Sequence, residues 1–379
     1  MMIYMDNAAT TRMRREVVEA MLPYMTAEYG NPSAGYELAA RAKKAIEQAR
    51  EEIADTLGCE AEEILFTSGG TESDNWAIKS TMMAKNRGHM ITSKIEHHAV
   101  FHSCRFLEQK GYQVSYIDVD ADGLISLEQL ENAIRPDTRM ISVMAANNEI
   151  GTVEPIAEIG KIARKHHVLF HTDAVQAYSN IDLNIERDEF DMLSVSAHKI
   201  NGPKGVGFLY VRKGTKLPPF MCGGAQEHGV RAGTENVSGI MGMAKAAKLA
   251  FQNRKMRLSH EYEIRNYMIS RIQREIPYAK LNGHPTKRLA NNMNFSFGNV
   301  DGGTLIAMLD HQNICAASGS ACTSASKEAS HVLKAIGLSD EMAHAAVRLT
   351  INENITFQEA DYVINCLKYD VMRLQSELG

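Results

Sequence analysis

Several side chains capable of chemistry stand directly after apolar runs of the sequence. Lys199 follows the run 192–195, and Asp173 ends the run 168–173. A lysine amine in a concave site can form a Schiff base with a carbonyl compound, because desolvation lowers its pKa and frees the amine. A carboxylate at the end of a buried strand needs a cationic partner, and a protonated ring nitrogen can be one. Taken alone, each residue is also consistent with a surface lysine or an ordinary buried acid.

The segment TSGGTESDN (residues 67–75) has the composition of an anion-binding turn. Gly70 lies between an apolar run at 64–67 and a predicted helix that begins at Glu72, and Thr71 supplies a hydroxyl. The free N–H groups and the dipole of a helix N-terminus favour an anion such as phosphate. An ordinary helix N-cap is the alternative for this segment.

Polar positions recur after other apolar runs. His97 lies in SKIEHHAV, Asn148 in AANNEIGTVEP, and Ser196 in SVSAHK. A structural histidine and an Asx-type turn are the ordinary explanations for such residues. Jointly, however, successive strand ends offer a phosphate cradle, a histidine able to stack on a ring, an acid for a pyridinium and a Schiff-base lysine. Pyridoxal phosphate requires this set, so the sequence predicts that cofactor.

Strand-like and helix-like segments alternate over the first part of the chain. The strand-like runs are 64–67, 89–95, 113–119, 139–145, 168–173, 192–195 and 206–211. This alternation predicts an α/β fold with a mainly parallel sheet covered on both faces, whose ligand binds at the carboxyl ends of the strands. The pattern changes after about residue 212 and becomes α+β. We therefore predict a large cofactor-binding domain over 13–260 and a smaller domain formed by 1–12 and 261–379.

Composition narrows the class of protein. The 379 residues carry 41 basic and 46 acidic side chains, a net charge of −5, and 44% of them are hydrophobic, so a sizeable core can form. The chain lacks a basic cluster for nucleic acid, and its apolar runs are shorter than the ~18–20 residues of a membrane span. The first residues contain Asp6 and no basic region, which disfavours a signal peptide. We expect a cytoplasmic protein without a direct nucleic-acid or membrane partner.

The six cysteines form no CxxC pair, which disfavours a zinc ribbon and indicates reduced thiols. Cys322 lies in SGSACTSAS, a run of small residues without an apolar anchor that is typical of an exposed loop. By composition alone, a packing role is favoured for a cysteine among small residues. Cys315 lies in an apolar run and is interpreted as structural.

The order of the motifs DNAATT, TSGGTESDN, EHH, NNEIG, DAVQ, SAHKINGPKG, RAGTEN and SGSACTSAS resembles the cysteine desulfurases of the NifS/IscS group. These belong to the class V branch of the fold-type I pyridoxal phosphate enzymes, and the resemblance runs from Tyr4 to the last predicted helix. It implies a seven-stranded sheet in the large domain, L-cysteine as substrate, and a homodimer with its sites near the subunit interface. It also implies that an enzyme persulfide is passed to an acceptor for iron–sulfur cluster assembly or tRNA thiolation.

The resemblance assigns roles by matching motif. Lys199, His97 and Cys322 would be catalytic: Lys199 forms the Schiff base, His97 stacks on the ring and shuttles protons, and Cys322 accepts the sulfur. Arg348, in HAAVRLT, would bind the substrate carboxylate near Asn148. The residues implied to hold the cofactor are Gly70, Thr71, His97, Asn148, Asp173, Gln176, Ser196, His198, Lys199 and, from the other subunit, Thr234. No dedicated metal site is implied, although Cys322 could transiently ligate an iron–sulfur cluster held by a scaffold partner.

Other functions stay open at the level of sequence. A selenocysteine lyase or a related cysteine lyase could use the same fold and cofactor. A different class is a non-catalytic partner subunit that only binds the cofactor or dimerises, and the intact Lys199 and Cys322 argue against it.

Overall fold

The computed structural model describes residues 2–318 and 329–376. Its strands are β1 (Ile3–Tyr4), β2 (Ile64–Thr67), β3 (His89–Ser93), β4 (Gln113–Ile117), β5 (Thr138–Ser142), β6 (Leu169–Asp173), β7 (Met192–Ser196), β8 (Gly207–Val211), β9 (Ala279–Leu281), β10 (Asn292–Phe297), β11 (Ile314–Cys315), β12 (Ala317–Ser318) and β13 (Ala346–Thr350). Its α-helices are α1 (Arg15–Thr26), α2 (Glu37–Leu57), α3 (Gly70–Met83), α4 (His98–Gln109), α5 (Leu127–Asn132), α6 (Ile156–Lys165), α7 (Ile185–Asp188), α8 (Val237–Gln252), α9 (Arg254–Glu275), α10 (Gly302–His311), α11 (His331–Ala335), α12 (Asp340–His344) and α13 (Phe357–Ser376).

A seven-stranded sheet forms the centre of the molecule, in the order β2-β8-β7-β6-β5-β3-β4. The strands β3 to β7 pair in parallel, whereas β8 is antiparallel to both of its neighbours, β2 and β7. Each of the seven predicted runs contributes one strand, so the predicted α/β fold with a mainly parallel sheet is confirmed. The carboxyl ends of the parallel strands consequently share one edge of the sheet.

Both faces of this sheet are covered, which explains why its strands read as continuous apolar runs. Successive strand residues point to opposite faces. Ile91 and Ile141 pack in one buried cluster with residues of α2 and α8. Their neighbours Met90 and Met140 pack in another, with Trp76 of α3. The helices therefore sandwich the sheet and leave its carboxyl edge for the site.

The last third of the chain builds a second, antiparallel sheet, in the order β12-β13-β10-β9. Helices α9, α10 and α13 supply a buried apolar cluster with it, to which Phe295, Leu305 and Leu367 belong. Strand β1 pairs in parallel with β11, so the first residues join this part of the molecule. The division into domains at 12/13 and 260/261 stays a prediction.

Within residues 2–318 and 329–376, every helix is too short or too polar to cross a lipid bilayer.

Candidate active site

A cavity of about 530 Å³ opens at the carboxyl edge of the central sheet. Ten of the twelve residues proposed from sequence line it: Gly70, Thr71, His97, Asn148, Asp173, Gln176, Ser196, His198, Lys199 and Arg348. They lie at or just beyond the carboxyl ends of β2, β3, β5, β6 and β7, except for Arg348, which lies on β13 of the second sheet. The parallel strand ends therefore bring these side chains together.

One end of the cavity has the geometry of a phosphate cradle. The chain turns sharply between β2 and α3 at Gly69, whose φ of 146° favours glycine, and α3 begins at Gly70. A Cβ at Gly70 would lie 2.5 Å from Cγ2 of Val175, so this position has no room for a side chain. The free N–H groups of the first turn of α3 and the side chains of Ser196 and His198 line the cavity here, as a phosphate requires.

Two buried carboxyl groups stand at the sheet edge. Asp173 ends β6, and its carboxylate accepts a hydrogen bond of 2.9 Å from the N–H of Val175. Burial raises the pKa of Asp173 to about 6. Burial and the nearby charge of Asp173 raise the pKa of Asp74 well above its usual range, and its Oδ1 has no hydrogen-bond partner in the described part of the chain. Such a pair favours a cation beside it, and a pyridinium nitrogen is one that fits.

His97 lies close to both of these carboxyl groups. Its Nδ1 caps α4 by accepting a hydrogen bond of 3.2 Å from the N–H of Ala99, which assigns the ring proton to Nε2. Burial, with the charge of Lys199 as the next cause, lowers the pKa of His97 to about 4. The imidazole is therefore neutral at pH 7. Ligand atoms of Asp74, His97 and Asp173 lie within 4.8 Å of one another, which places an uncharged ring next to the two acids.

Lys199 ends a short 3-10 turn that directly follows β7. Its amine donates hydrogen bonds to the backbone oxygens of Ala8 and Ala9, the latter at 2.8 Å. The Gln176 amide donates to the same Ala8 oxygen at 2.9 Å. His198 Nδ1 lies 3.1 Å from Oγ1 of Thr10. The N-terminal segment therefore forms a wall of the cavity.

Arg348 enters the cavity from β13 and is almost completely buried. Its Nη1 donates to the backbone oxygen of Asn148 at 3.1 Å, and its Nη2 donates to Oδ1 of Asp6 at 2.8 Å. A buried guanidinium that lines a cavity is suited to a carboxylate ligand.

One of the proposed residues lies away from the cavity, and another falls outside the described residues. Thr234 is exposed, in the loop that precedes α8, and does not line the cavity of its own chain. Cys322 lies outside the described residues, so its proposed role stays a prediction. Cys222, Cys315 and Cys366 are free thiols away from the cavity.

Sequence reasoning missed Asp74 and the carbonyls of Ala8 and Ala9. The motif TESDN carried a signal for Asp74, because a carboxylate four residues after Gly70 lies one helical turn along α3. The carbonyls gave no such signal, since every residue carries one.

The fold and this cavity define a pyridoxal phosphate enzyme of fold type I. The model of the family "Aminotransferase class-V" matches residues 3–363. A curated relative, "Cysteine desulfurase IscS" of Methanosarcina thermophila, is 50% identical over 376 residues, which cover 99% of this chain and 93% of the relative. The protein of the same name from Clostridium botulinum strain Hall is 47% identical and covers 96% of this chain and 93% of its own.

Solved structures agree with these relatives. A structure described as a NifS-like protein superposes with a TM-score of 0.92 at 36% identity, covering 98% of this chain and 100% of the other. One described as SspA in complex with cysteine has a TM-score of 0.83 at 38% identity and covers 93% and 100% of the two chains. The chain belongs to the aminotransferase class-V family and, within it, to the cysteine desulfurases.

Proposed function

We propose that this protein removes sulfur from L-cysteine, releases L-alanine, and carries the sulfur as a persulfide on Cys322 before an acceptor takes it. The observation that carries the proposal is the meeting of Lys199, Asp173 and His97 in one cavity that Arg348 closes on the side of the second sheet. The names of the relatives support the reaction, and the structural neighbour described as a complex with cysteine supports the substrate.

The cavity fits pyridoxal phosphate. The first turn of α3, with Ser196 and His198, would hold the phosphate, and Asp173 would pair with the ring nitrogen. Within the described residues, the buried Oδ1 of Asp74 has no hydrogen-bond partner and would be available to the cofactor on the same side. When bound, the cofactor supplies an electron sink for the charge that develops at Cα of the substrate.

The residues of this chain supply the remaining steps. Arg348 binds the substrate carboxylate and orients the amino acid. The amine of Lys199 takes the proton from Cα and later returns a proton. His97 covers the ring, and because burial lowers its pKa to about 4 the imidazole is neutral at pH 7 and offers the N–H of Nε2 as a donor to the reacting group.

The sulfur step balances without an outside oxidant. The thiolate of Cys322 forms a bond to the substrate sulfur, and the Cβ–S bond breaks with its electron pair left on carbon. The carbon skeleton is thereby reduced and takes up a proton to become alanine. The net change is cysteine plus a Cys322 thiol giving alanine plus a Cys322 persulfide.

The proposal includes a homodimer, a sulfur acceptor and a cytoplasmic location. The exposed position of Thr234, away from the cavity of its own chain, supports a role in the site of a second copy. The name shared by the relatives supports an iron–sulfur scaffold protein as acceptor, with a tRNA-thiolating enzyme as the other candidate.

The test is to incubate the cofactor-loaded protein with L-cysteine, assay alanine and locate the added sulfur by peptide mass. We expect alanine and one additional sulfur on the peptide that contains Cys322. Cys322→Ala should abolish both and keep the yellow absorbance of the bound cofactor. Cys222→Ala, which removes an exposed thiol, is the matched control and should retain the rate. A Cys322→Ala protein that desulfurates at the wild-type rate would refute the assignment.

A further inference from the structure

Three residues of the motif DNAATT (residues 6–11), namely Ala8, Ala9 and Thr10, line the cavity. The carbonyls of Ala8 and Ala9 accept hydrogen bonds from Lys199, and Thr10 lies beside His198. The Ala8 carbonyl also accepts from Gln176, so the segment touches three residues of the proposed site through its backbone or a hydroxyl. Its charged member, Asp6, touches a fourth, Arg348.

The segment is fixed on β13, the strand that carries Arg348. The Asn7 amide donates to the carbonyl of Thr350 at 2.7 Å, and the N–H of Ala8 donates to the Thr350 hydroxyl at 2.9 Å. The N–H of Thr350 donates in turn to the carbonyl of Met5 at 2.7 Å. These bonds lie two residues beyond Arg348, so the backbone holds Asp6 and Arg348 in a fixed relation.

The guanidinium of Arg348 is held at two of its three nitrogens. Its side chain is 2% exposed, and the Asp6 side chain that pairs with it is 19% exposed. Nη1 is engaged by the Asn148 carbonyl and Nη2 by Asp6, whereas Nε is buried and has no hydrogen-bond partner within the described ranges. Arg348 lines the cavity and Asp6 does not, so Asp6 supports the guanidinium from outside the site.

We propose that Asp6 is a positioning residue: its ion pair with Arg348 sets the orientation in which the guanidinium receives the α-carboxylate of the substrate. The proposal rests on the proposed function. Two fixed nitrogens define the plane of the group, and Nη1 and Nη2 each keep a second N–H that can bind a carboxylate ligand. Glu149 is a second carboxyl within electrostatic reach of Arg348. Without Asp6, the guanidinium can turn toward Glu149 and away from the position that a ligand needs.

The test compares Asp6→Ala with Asp6→Asn in the cofactor-loaded protein. A hydrogen bond to a charged group contributes enough that we expect Asp6→Ala to raise KM for L-cysteine about tenfold, with kcat within about twofold. Asp6→Asn keeps an oxygen acceptor for Nη2 and should restore KM to within about threefold of the wild-type value. If Asp6→Ala does not fold, Asp6→Ser, whose hydroxyl is too short to reach Nη2, replaces it.

A second measurement isolates the contribution of the ligand's α-carboxylate to binding. L-Alanine and ethylamine differ only in that group, and each can be titrated as a competitive inhibitor. Asp6→Ala should raise the inhibition constant of L-alanine about tenfold and leave that of ethylamine unchanged. A purely structural role would shift both constants alike.

The matched control is Glu353→Gln. It breaks the ion pair of 2.5 Å between Arg14 and Glu353, which also joins the N-terminal region to the chain just after β13. We expect this variant to lose thermal stability and to retain KM. Equal KM values in wild type and Asp6→Ala, or a lower KM in Asp6→Ala, would overturn the positioning role. Failure of the wild-type protein to release alanine would instead refute the proposed function.

Discussion

The hydroxyl of Ser330 donates a hydrogen bond of 2.5 Å to the buried carboxylate of Glu149. Ser330 also caps α11, because its oxygen accepts from the N–H groups of Val332 and Leu333. Glu149 follows Asn148, whose carbonyl holds Arg348. One short hydrogen bond therefore joins the start of α11 to the loop that forms the substrate end of the cavity.

Ser330→Ala should destabilise the protein more at high pH than at low pH. Burial raises the pKa of Glu149 to about 7, and the bond from Ser330 opposes that rise, so the variant raises the pKa further. A carboxyl whose pKa is higher in the folded than in the unfolded state contributes stability below its unfolded pKa and loses it as the pH rises through its folded pKa. We expect a loss of about 1–3 kcal/mol in the free energy of unfolding at about pH 8.5, and less at about pH 5.

Denaturant unfolding at the two pH values checks this prediction. Glu149→Gln is the control background, because its side chain does not titrate. In that background Ser330→Ala should lower the free energy of unfolding by the same amount at both pH values, about 1 kcal/mol, because only the helix cap is lost. An equal loss at both pH values in the wild-type background would contradict the coupling.

Apolar runs were sufficient to predict the seven strands, and the carboxyl ends of those strands indicated part of the cavity. The roles of Gln176, His198 and Arg348 came only from the resemblance to the NifS/IscS group. The loop after β5 shows where such reasoning stops. An Asx-type turn was the ordinary explanation for its asparagines, and Oδ1 of Asn147 does accept from the N–H of Glu149 at 2.8 Å. Its neighbour Asn148 lines the cavity. The turn interpretation is therefore correct for Asn147 and the site interpretation for Asn148. Only the folded structure shows which asparagine has which role.

Contacts between distant segments could not be predicted from the sequence, and the reason is physical. The pair Asp6 and Arg348 joins residues at opposite ends of the chain, and neither periodicity nor composition encodes it. The carbonyls of Ala8 and Ala9 act through backbone atoms that all residues share. The pairing of β1 with β11 and the bridge between Asp6 and Thr350 bring the N-terminal segment to the site. These pairings join segments that are far apart in the sequence.

Asp173→Asn should stabilise the cofactor-free protein and weaken cofactor binding. Burial raises the pKa of Asp173 to about 6, so the group contributes most stability below its unfolded pKa and loses that contribution as the pH rises through about 6. At about pH 8 the neutral amide avoids a buried charge, and we expect a gain of about 2 kcal/mol in the free energy of unfolding. The same change removes the partner proposed for the ring nitrogen.

Thermal unfolding with and without pyridoxal phosphate separates the two effects. The cofactor-free variant should melt above the wild-type protein, while the rise in Tm on adding the cofactor should shrink. Asp55→Asn, on the exposed face of α2, is the control and should change neither value. A variant that is less stable without cofactor at about pH 8 would show that the Asp173 charge is already compensated by the protein.

Lys199→Ala should abolish alanine formation and the yellow absorbance of covalently held cofactor. Loss of a proton-transfer group costs about 10²–10⁴-fold in rate, and loss of the covalent link adds to this. Lys204→Ala removes another amine that lines the same cavity and serves as the control. We expect the control to keep its absorbance, measured on the purified holoenzyme. Absorbance retained in Lys199→Ala and lost in Lys204→Ala would transfer the role to Lys204.

Glu227→Gln should destabilise the protein strongly. Arg50 donates to both carboxylate oxygens of Glu227, at 2.8 and 3.0 Å, and the N–H of Phe66 donates to the same group. Both charged side chains are 3% exposed, so the variant removes the buried counter-charge of Arg50 and leaves only the solvent-exposed Glu47 beside it, at 3.3 Å. Breaking such a pair costs about 3–5 kcal/mol, which urea unfolding can measure.

The exposed pair of Arg15 and Glu19 provides the comparison for that measurement. Its side chains are 90% and 59% exposed, so Glu19→Gln should cost less than about 0.5 kcal/mol. Glu227 precedes Thr234 in the same loop, so weaker anchoring should also lower cofactor retention if Thr234 reaches the site of a second copy. A small loss of stability with Glu227→Gln would mean that another acceptor takes over Arg50, and the loop would then not depend on this ion pair.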